Sequence, residues 1–338
     1  MLTPLKKLSS MTETLREQGW RALAIRLLGG PDRVQPTEHE IAAAYSDFAG
    51  GDVDEWHFPM MNDAARSKAY ETALGKALKG GGTVLEIGTG SGLLAMIAAR
   101  QGATKVITCE AIGVIARKAT EIVKQNGLAG KIQVINKKST ELAVGKDLAE
   151  RADVLVAEIF DNGLIGEEAF SSFEHAKKNL LKPDAQIIPS GAKIVGICIE
   201  SQEIYEMHRV SSTLGFDVSA FNEFARRRYK SYHLDRYNYR ALTARNTFFD
   251  FEFNRSQNDA SAPLEFEVQH AGLCHAVVYW FELRLDKETT IDTGPHLKPR
   301  SSWEQAVYCL DKPVQLTPGK PFKVMAHHDS DRLWFDVL

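Results

Sequence analysis

The fold is decided by one short segment, Val84-Leu85-Glu86-Ile87-Gly88-Thr89-Gly90-Ser91-Gly92. Its apolar first half predicts a buried strand, and its three glycines predict a tight turn that leads into a helix. Glycine allows the backbone to adopt positive φ and to approach a ligand closely. The pattern is G-x-G-x-G, which differs from the G-x-G-x-x-G of a pyrophosphate site, and the segment has no Walker lysine.

An acidic residue follows at the end of the next strand. Glu110 lies about 20 residues beyond the turn, where a carboxylate can bind both hydroxyls of a ribose. Because the turn lacks the features of a phosphate site, the best candidate ligand is an adenosine without phosphates, which means S-adenosylmethionine. The predicted cofactor-binding residues of this region are Glu86, Gly88, Gly90, Gly92 and Glu110.

The pattern of predicted strands and helices changes along the chain. From 83 to 188, short β-rich runs alternate with helical patterns, among them a helix predicted over 140–149, which indicates a doubly wound parallel sheet. From Ala192 onward the strands follow one another closely, which indicates an antiparallel sandwich or barrel. The expected fold class is α/β plus β. Its parts are an N-terminal helical extension over 1–50, a Rossmann-like cofactor domain over 51–189 and a β-barrel substrate domain over 190–338.

Charge and cysteine usage exclude several classes of protein. The 338 residues are 44% hydrophobic and carry 41 basic against 44 acidic side chains, so no global field attracts nucleic acid or membranes. The four cysteines lie far apart without metal-type spacing, which favours reduced thiols in the cytoplasm. No run of about 18 apolar residues is present, and no apolar stretch follows Lys6-Lys7, so we expect neither a membrane span nor a signal peptide.

Two glutamates flank the loop after a second apolar strand. The strand from Val154 to Ala157 runs into Glu158, and the chain turns at Asn162-Gly163 before it reaches Glu167. Two carboxylates on one loop at a strand end favour a bound cation, and a planar guanidinium fits carboxylates best. The alternative is a solvated acidic loop.

Together these motifs resemble the protein arginine methyltransferase family, most of all its type III branch. The segments Asn136–Glu141 and Glu158–Glu167 carry the likeness, which spans about 55–325 and is strongest over 83–192. The resemblance implies methyl transfer from S-adenosylmethionine to a guanidinium nitrogen in a protein substrate. It also implies that Glu158 and Glu167 are catalytic and clamp that guanidinium.

The resemblance assigns further residues to the site. It places His57 and Arg66 in a lid over the cofactor, with Arg66 on the methionine carboxylate. A surface helix arginine is the alternative for Arg66. Met60 would line the substrate pocket, although a core methionine is an equal alternative. Thr140 and Glu141 would flank the adenine, with Glu141 in place of an acid that the family has at the position of Thr140.

The sequence departs from the family in one loop. The family carries Thr-His-Trp where this chain has Ser301-Ser302-Trp303, and that histidine pairs with the acid that corresponds to Asp63. Serine has no pKa suited to proton transfer near neutrality. Asp63 would therefore act through water, or the proton would leave without a relay. Ser302 and Trp303 would still line the substrate pocket. The alternative for Trp303 is packing in the core.

The family also has an inserted helical arm that docks on a second subunit, and residues 202 to about 235 match its position. This match predicts a head-to-tail homodimer. The basic run Arg226–Lys230 allows RNA binding as an alternative. Asp161 and Glu168 are expected to form an acidic mouth for a basic, arginine-containing protein or peptide. Two rival functions remain, a class I methyltransferase for a small molecule or another protein side chain, and an inactive binding or assembly protein.

Overall fold

The first half of the described chain is built on a parallel sheet. This computed structural model describes residues 53–329 and 331–338. Five parallel strands pair in the order β3-β2-β1-β4-β5. Their bounds are β1 (Thr83–Ile87), β2 (Lys105–Cys109), β3 (Ile132–Ile135), β4 (Ala152–Ala157) and β5 (Leu181–Ile188). The strand order reverses between β1 and β4, which is the point where sheets of this type bind ligands.

Within the described residues, two helices precede β1 and three connect strands of the sheet, in line with the alternating pattern. They are α1 (His57–Asn62), α2 (Ala64–Ala77), α3 (Leu93–Arg100), α4 (Gly113–Gln125) and α5 (Ala169–Asn179). In α3, Leu94, Ala95, Ile97 and Ala98 are buried, so the apolar face repeats at the helical period and packs on the sheet. The expected helical extension over 1–50 lies outside the described residues. No helix in the described ranges is long and apolar enough to cross a membrane.

The helix predicted over 140–149 is wrong. Only a 3-10 turn, Ser139–Glu141, forms there. Gly145 follows with a φ of 85°, which a continuing helix does not allow. Asp147 then holds the loop, because its carboxylate accepts hydrogen bonds from Lys137 Nζ at 2.5 Å and from the Ala143 N–H at 3.0 Å.

Antiparallel strands form the second half of the chain. A seven-stranded sheet has the order β10-β6-β13-β15-β9, with β11 beside β6 and β14 beside β13, and a three-stranded sheet has the order β12-β16-β17. The longer strands are β6 (Gly191–Glu200), β11 (Asn246–Glu252), β12 (Ala260–Phe266), β13 (Gly272–Arg284), β15 (Gln305–Leu316), β16 (Phe322–His328) and β17 (Leu333–Val337). The shorter ones are β9 (Lys230–Tyr232), β10 (Arg240–Ala241) and β14 (Thr290–Asp292). This curled half-barrel confirms the predicted fold class.

Strand β13 is buried on both faces. Val277, Tyr279 and Phe281 belong to the large core, whereas Ala276 and Val278 belong to a smaller cluster on the opposite face of the sheet. Successive side chains of a strand point to opposite faces, so a strand that is covered on both sides is apolar throughout. This is why residues 276–281 show no alternation in the sequence.

A short excursion leaves the sheet after β6. It contains α6 (Gln202–Glu206), the hairpin β7 (Ser212–Thr213) and β8 (Phe216–Asp217), and a 3-10 turn over Ser219–Phe224. The chain returns to the sheet at β9. We call residues 202–229 the arm. Its large apolar side chains at Leu214, Phe216, Phe221 and Phe224 are all exposed. By contact density, residues 59–338 form one compact unit and residues 1–58 another, so the domain boundary at 189–190 stays a prediction.

Candidate active site

The glycine turn after β1 has the backbone that the sequence requires. Gly88, Gly90 and Gly92 have φ values of 84°, 50° and 81°. A Cβ at Gly88 would lie 2.7 Å from the Ile159 side chain, which is too close for any other residue. The N–H groups of Gly88 and Thr89 both donate to the Cys109 carbonyl at 3.1 Å, so the turn is fixed to the end of β2.

Glu110 lies directly beside this turn. Its Oε2 accepts a hydrogen bond from the Gly90 N–H at 3.1 Å, and its Oε1 accepts one from the Ile112 N–H at 3.0 Å. The two bonds fix the carboxylate between the glycine turn and the start of α4. Each oxygen keeps a further lone pair, so Glu110 can still accept hydrogen bonds from a diol.

Glu86 is a buried acid in the strand below the turn. Its side chain is 1% exposed, and in the described part of the chain neither carboxylate oxygen accepts a hydrogen bond. Burial raises the pKa of Glu86 to about 8, because the low-dielectric interior disfavours the charged form. Glu86 therefore carries a proton in the folded protein over much of the pH range below 8.

The other predicted cofactor residues differ in how they are placed. Thr140 and Glu141 are exposed on the turn after β3, and Glu141 Oε2 accepts from the Lys138 N–H at 3.2 Å. His57 belongs to the separate unit 1–58, where its Nδ1 lies 2.8 Å from the Asp54 carbonyl. Its predicted lid role stays a prediction.

A buried ion pair links α2 to the end of β4. The Arg66 Nη2 donates to Glu158 Oε2, and the two side chains are only 4% and 8% exposed. Arg66 also donates from Nη1 to the Met60 carbonyl at 3.3 Å and stacks over the Trp303 ring, with 5.6 Å between its Cζ and the ring centroid. Loss of one partner would leave a buried charge uncompensated, which is strongly destabilising.

Asp63 joins the start of α2 to the loop before β15. Its Oδ1 accepts from the Arg66 N–H at 2.9 Å and caps α2, while its Oδ2 accepts from the Ser302 N–H at 3.0 Å. Both oxygens of Asp63 thus hold backbone N–H groups in place, one at the start of α2 and one in the loop before β15. The predicted catalytic role of Asp63 stays a prediction.

The same loop also holds the segment that carries the two glutamates. Trp303 donates from Nε1 to the Phe160 carbonyl at 3.0 Å, and the Glu304 N–H donates to Asn162 Oδ1 at 2.9 Å. Trp303 is buried and packs edge-on against Phe281. It therefore packs in the core and fixes the loop, so its predicted place in the substrate pocket stays a prediction.

Asp161 does not form part of an acidic mouth, contrary to the expectation from the sequence. Its Oδ2 accepts from the Tyr229 hydroxyl, and its Oδ1 accepts from the N–H groups of Gly163 and Gly166 at 3.1 Å. Burial raises the pKa of Asp161 above its usual value, and these hydrogen bonds partly offset the rise. A Cβ at Gly166 would lie 2.1 Å from Asp161 Oδ2, so the carboxylate packs directly against the loop backbone.

The remaining acids of the loop are exposed. Glu167 and Glu168 are both open to solvent, whereas Glu158 is buried at the other end of the same loop. Lys138 Nζ lies 3.3 Å from Glu168 Oε1. The loop therefore presents one shielded glutamate, Glu158, and two accessible ones, Glu167 and Glu168.

Sequence reasoning missed Tyr229 and Asn162 as residues that shape the site. Tyr229 lies in the basic run Arg226–Lys230, where its neighbours suggest a charged surface. No local pattern indicates that its hydroxyl reaches a loop 68 positions earlier in the chain.

Comparison with known proteins finds relatives of this chain among methyltransferases. Residues 191–335 match a family model described as the arginine methyltransferase oligomerization subdomain, and residues 70–217 match one described as ribosomal protein L11 methyltransferase. The arginine N(omega)-methyltransferase of Streptomyces achromogenes subsp. streptozoticus is 40% identical over 280 residues, which cover 82% of this chain and 77% of that protein. Protein arginine N-methyltransferase 7 of Drosophila melanogaster is 32% identical over 323 residues. The alignment covers 82% of this chain but 47% of the fly protein, so the chain spans about half the length of that relative.

Solved structures share the fold at lower identity. The Trypanosoma brucei PRMT1 enzyme–prozyme complex with AdoHcy superposes with a TM-score of 0.70 at 24% identity, over 81% of this chain and 89% of that one. Arabidopsis thaliana protein arginine methyltransferase 10 superposes with a TM-score of 0.66 at 20% identity, over 82% and 96% of the two chains.

Proposed function

The chain belongs to the protein arginine N-methyltransferase family, and on that premise we propose that it methylates an arginine guanidinium held between Glu158 and Glu167. The family uses S-adenosylmethionine as the methyl donor. The observation that carries the proposal is Glu158 itself, a shielded carboxylate at the ligand-binding end of β4 that is bonded to Arg66.

The residues around the glycine turn fit this cofactor. Gly88, Gly90 and Gly92 allow a ligand to lie close to the backbone, and Glu110 would accept hydrogen bonds from the ribose hydroxyls. Arg66 would hold the methionine carboxylate, since a guanidinium binds a carboxylate through paired hydrogen bonds. Thr140 and Glu141 would flank the adenine. When bound, the cofactor supplies an electrophilic methyl group on a sulfonium.

Glu158 and Glu167 would orient the guanidinium and stabilise its charge. Arginine is protonated at neutral pH, with a pKa above about 12, and is a poor nucleophile. Carboxylates on two of its nitrogens would fix its plane and hold positive charge away from the third nitrogen. That nitrogen forms the new N–C bond as the S–C bond breaks. Fixing the attack geometry supplies much of the rate in such a displacement.

The proton that leaves the methylated nitrogen meets no histidine at the family's relay position. Ser302 stands at the family's histidine position, and both oxygens of Asp63 already accept backbone hydrogen bonds. We propose that the proton passes to solvent and that Asp63 positions α2 and the Ser301–Trp303 loop.

The expected substrate is a basic, arginine-containing protein or peptide. A second candidate is arginine itself as a small molecule. It is favoured by the Streptomyces relative, whose name specifies arginine without the word protein. Both candidates use the same clamp, because the reacting group is the same.

A methyl-transfer assay tests the proposal. The purified chain is incubated with methyl-labelled S-adenosylmethionine and matched peptides that contain either arginine or lysine, and the product is analysed by mass spectrometry. We expect label on arginine nitrogen alone. Label on lysine or on no amino acid would contradict the proposal and favour another methyltransferase or an inactive relative, respectively.

We also propose a head-to-tail homodimer. The description of the matched family model supports an oligomer, and the arm exposes Leu214, Phe216, Phe221 and Phe224. A groove of about 620 Å³ on the outer helices is lined by Leu93, Met96, Ile97 and Leu128, with charged residues at its rim. The arm of a second copy would bury its phenylalanines there. A cytoplasmic location is also proposed, on the basis of four free cysteines.

A further inference from the structure

A small pocket lies where the arm rejoins the sheet. It has a volume of about 200 Å³ and lies between the residues that follow α6, the end of the arm and strand β15. Its lining includes Arg209, Arg226, Arg228 and Lys230, and no acidic residue lines it in the part of the chain that the structure describes. Pockets for drug-sized ligands measure roughly 300–1,000 Å³, so this one suits a smaller group.

The basic run at the end of the arm divides its side chains between two sides. Arg226, Arg228 and Lys230 are spaced two positions apart, and all three are exposed and line the pocket. The residues between them have partners elsewhere, since Arg227 forms an ion pair with strand β17 and the Tyr229 hydroxyl binds the loop between β4 and α5. Successive side chains of an extended chain point to opposite sides. A continuous basic run in the sequence therefore brings three charges to one place.

A fourth basic residue is built into the pocket wall. The Arg209 side chain is only 5% exposed. Its Nη2 donates to the Cys309 carbonyl at 3.2 Å and to Asp311 Oδ1 at 3.1 Å. Its Nη1 donates to the His208 carbonyl at 3.0 Å. These bonds fix the guanidinium in position, and the exposed Asp311 offsets its charge.

The other three positive charges are not offset by the protein. Within residues 53–329 and 331–338, no carboxylate forms an ion pair with Arg226, Arg228 or Lys230. The acidic residues of the arm also lie outside the pocket lining. They are Glu203, Glu206, Asp217 and Glu223. The pocket therefore keeps three basic side chains in excess of the carboxylate that pairs with Arg209.

His208 lines the same pocket and responds to these charges. Burial lowers the pKa of His208 below its usual value, and the charges of Lys230 and Arg209 lower it further. Positive neighbours lower the pKa of a histidine because they disfavour its protonated form. The histidine is therefore neutral near pH 7, and its surroundings are positively charged.

The tyrosines around the basic run do not offer open rings to nucleic-acid bases. Tyr229 packs edge to face against the buried Tyr279. Tyr232 packs edge to face against Tyr237. Proteins that bind single-stranded nucleic acid stack bases on exposed aromatic rings, and the exposed phenylalanines of the arm are assigned above to a second copy. What remains of the RNA alternative is a pocket for one anionic group.

We propose that this pocket binds a single phosphate group, supplied by inorganic phosphate or by a phosphate monoester. A phosphate monoester carries a charge of about −1.5 to −2 near pH 7 and three strong acceptor oxygens. Arginine binds phosphate oxygens through paired N–H groups, and lysine adds a point charge. Three basic side chains without a partner match this charge better than they match a carboxylate, which carries a single charge. The proposal is independent of the methylation proposed above.

Calorimetric titration of the full chain tests the pocket. The probes are inorganic phosphate, O-phosphoserine and, for comparison, acetate, each in a zwitterionic buffer at constant ionic strength. We expect saturable binding of a phosphate probe with a Kd of about 1 mM or lower, and at least roughly tenfold weaker binding of acetate. Tighter binding of phosphoserine assigns the group to a monoester, and equal or tighter binding of inorganic phosphate assigns it to the free anion.

A double variant connects the binding to the pocket. Arg226→Gln with Arg228→Gln should raise the Kd for phosphate by about tenfold or more, because two charges without a partner are lost. The matched control, Lys79→Gln with Lys320→Gln, removes the same charge from two exposed lysines outside the pocket and should keep the wild-type Kd. Melting temperatures measured without phosphate verify that the variants are folded. If the double variant does not fold, Lys230→Gln carries the same test.

Three results would overturn the inference. They are no saturable binding of either phosphate probe up to about 10 mM, equal affinity for phosphate and acetate, or a Kd that is unchanged in the double variant. A short uridine oligonucleotide is titrated in parallel. If it binds through the same two arginines while neither phosphate probe binds, the basic run is a nucleic-acid surface and the phosphate pocket is rejected. Methyl transfer is not a readout in these experiments, so their outcome does not depend on the proposed function.

Discussion

At the scale of single residues, the site depends on charges that are shielded from water. Glu158 and Arg66 neutralise each other in a buried contact, whereas Glu86 is buried without such a partner. The first arrangement holds a carboxylate next to the proposed guanidinium. The second raises the pKa of the Glu86 carboxyl group and makes the free energy of unfolding depend on pH. The two glutamates therefore respond to substitution in different ways.

Replacement of Glu158 by glutamine is expected to lower kcat by about 100-fold or more, since removal of one preorganised charge at a reacting group costs this much. Loss of the buried charge opposite Arg66 should also lower the free energy of unfolding, so folding of the variant is verified first by circular dichroism. In the folded variant cofactor binding should persist, because the amide oxygen can still accept from Arg66. The measurements are kcat with an arginine substrate and calorimetric titration with S-adenosylhomocysteine. The control is Glu150→Gln, an exposed glutamate outside the site. Normal turnover in the Glu158 variant would rule out the clamp.

Replacement of Glu86 by glutamine is expected to reduce the pH dependence of stability. Its folded-state pKa of about 8 lies above the unfolded value of 4.5, so the protonated form stabilises the fold at low pH. This contribution is complete below pH 4.5 and is lost as the pH rises to 8, and its upper limit is about 5 kcal/mol. The melting temperature of the cofactor-free protein should therefore fall more steeply from pH 6 to 9 in the wild type than in Glu86→Gln. Parallel curves for the two proteins would contradict this account.

At the scale of elements, three contacts from two segments distant in sequence hold the loop between β4 and α5. Trp303 binds the Phe160 carbonyl, Glu304 binds Asn162, and Tyr229 binds Asp161. Two of these contacts come from the loop before β15, and one comes from the end of the arm. The loop with the two glutamates is therefore positioned by the antiparallel half of the protein.

Replacement of Tyr229 by phenylalanine removes one of these contacts. It leaves a buried carboxylate oxygen of Asp161 without its donor, which costs about 1–3 kcal/mol. We expect a lower free energy of unfolding in urea and a higher KM for the arginine substrate. Tyr239→Phe, at an exposed tyrosine, serves as the matched control. A free energy of unfolding equal to that of the control would show that the Tyr229–Asp161 bond does not stabilise the loop.

At the scale of the whole molecule, the arm leaves apolar side chains in water. Phe221 and Phe224 contact each other edge to face, and both are exposed on the arm. An exposed cluster of large apolar residues indicates a contact surface. The arm ends at Tyr229, which holds the catalytic loop through Asp161. A second copy that binds the arm would therefore contact a segment that leads directly to this residue.

The double variant Phe221→Asp with Phe224→Asp is expected to produce a monomer, because charged side chains cannot be buried in an apolar groove. Light scattering at micromolar concentration should give twice the mass of one chain for the wild type and the mass of one chain for the variant. Val337→Asp, at an exposed apolar residue outside the arm, should stay dimeric. A monomeric wild type would exclude the homodimer.

The sequence by itself determined the parallel sheet, the glycine turn and the pairing of that turn with Glu110. These features depend on local periodicity and on residues with restricted backbone choices, such as Gly88 and Gly92. It did not determine the extended turn after β3, where Gly145 and Asp147 prevent the expected helix.

Only the tertiary structure decided which charges meet. The contacts of Arg66 with Glu158, of Asp63 with the Ser302 backbone and of Tyr229 with Asp161 join residues separated by 92, 239 and 68 positions. Side-chain pairing at such distances follows from how the two halves pack, and no local pattern encodes it.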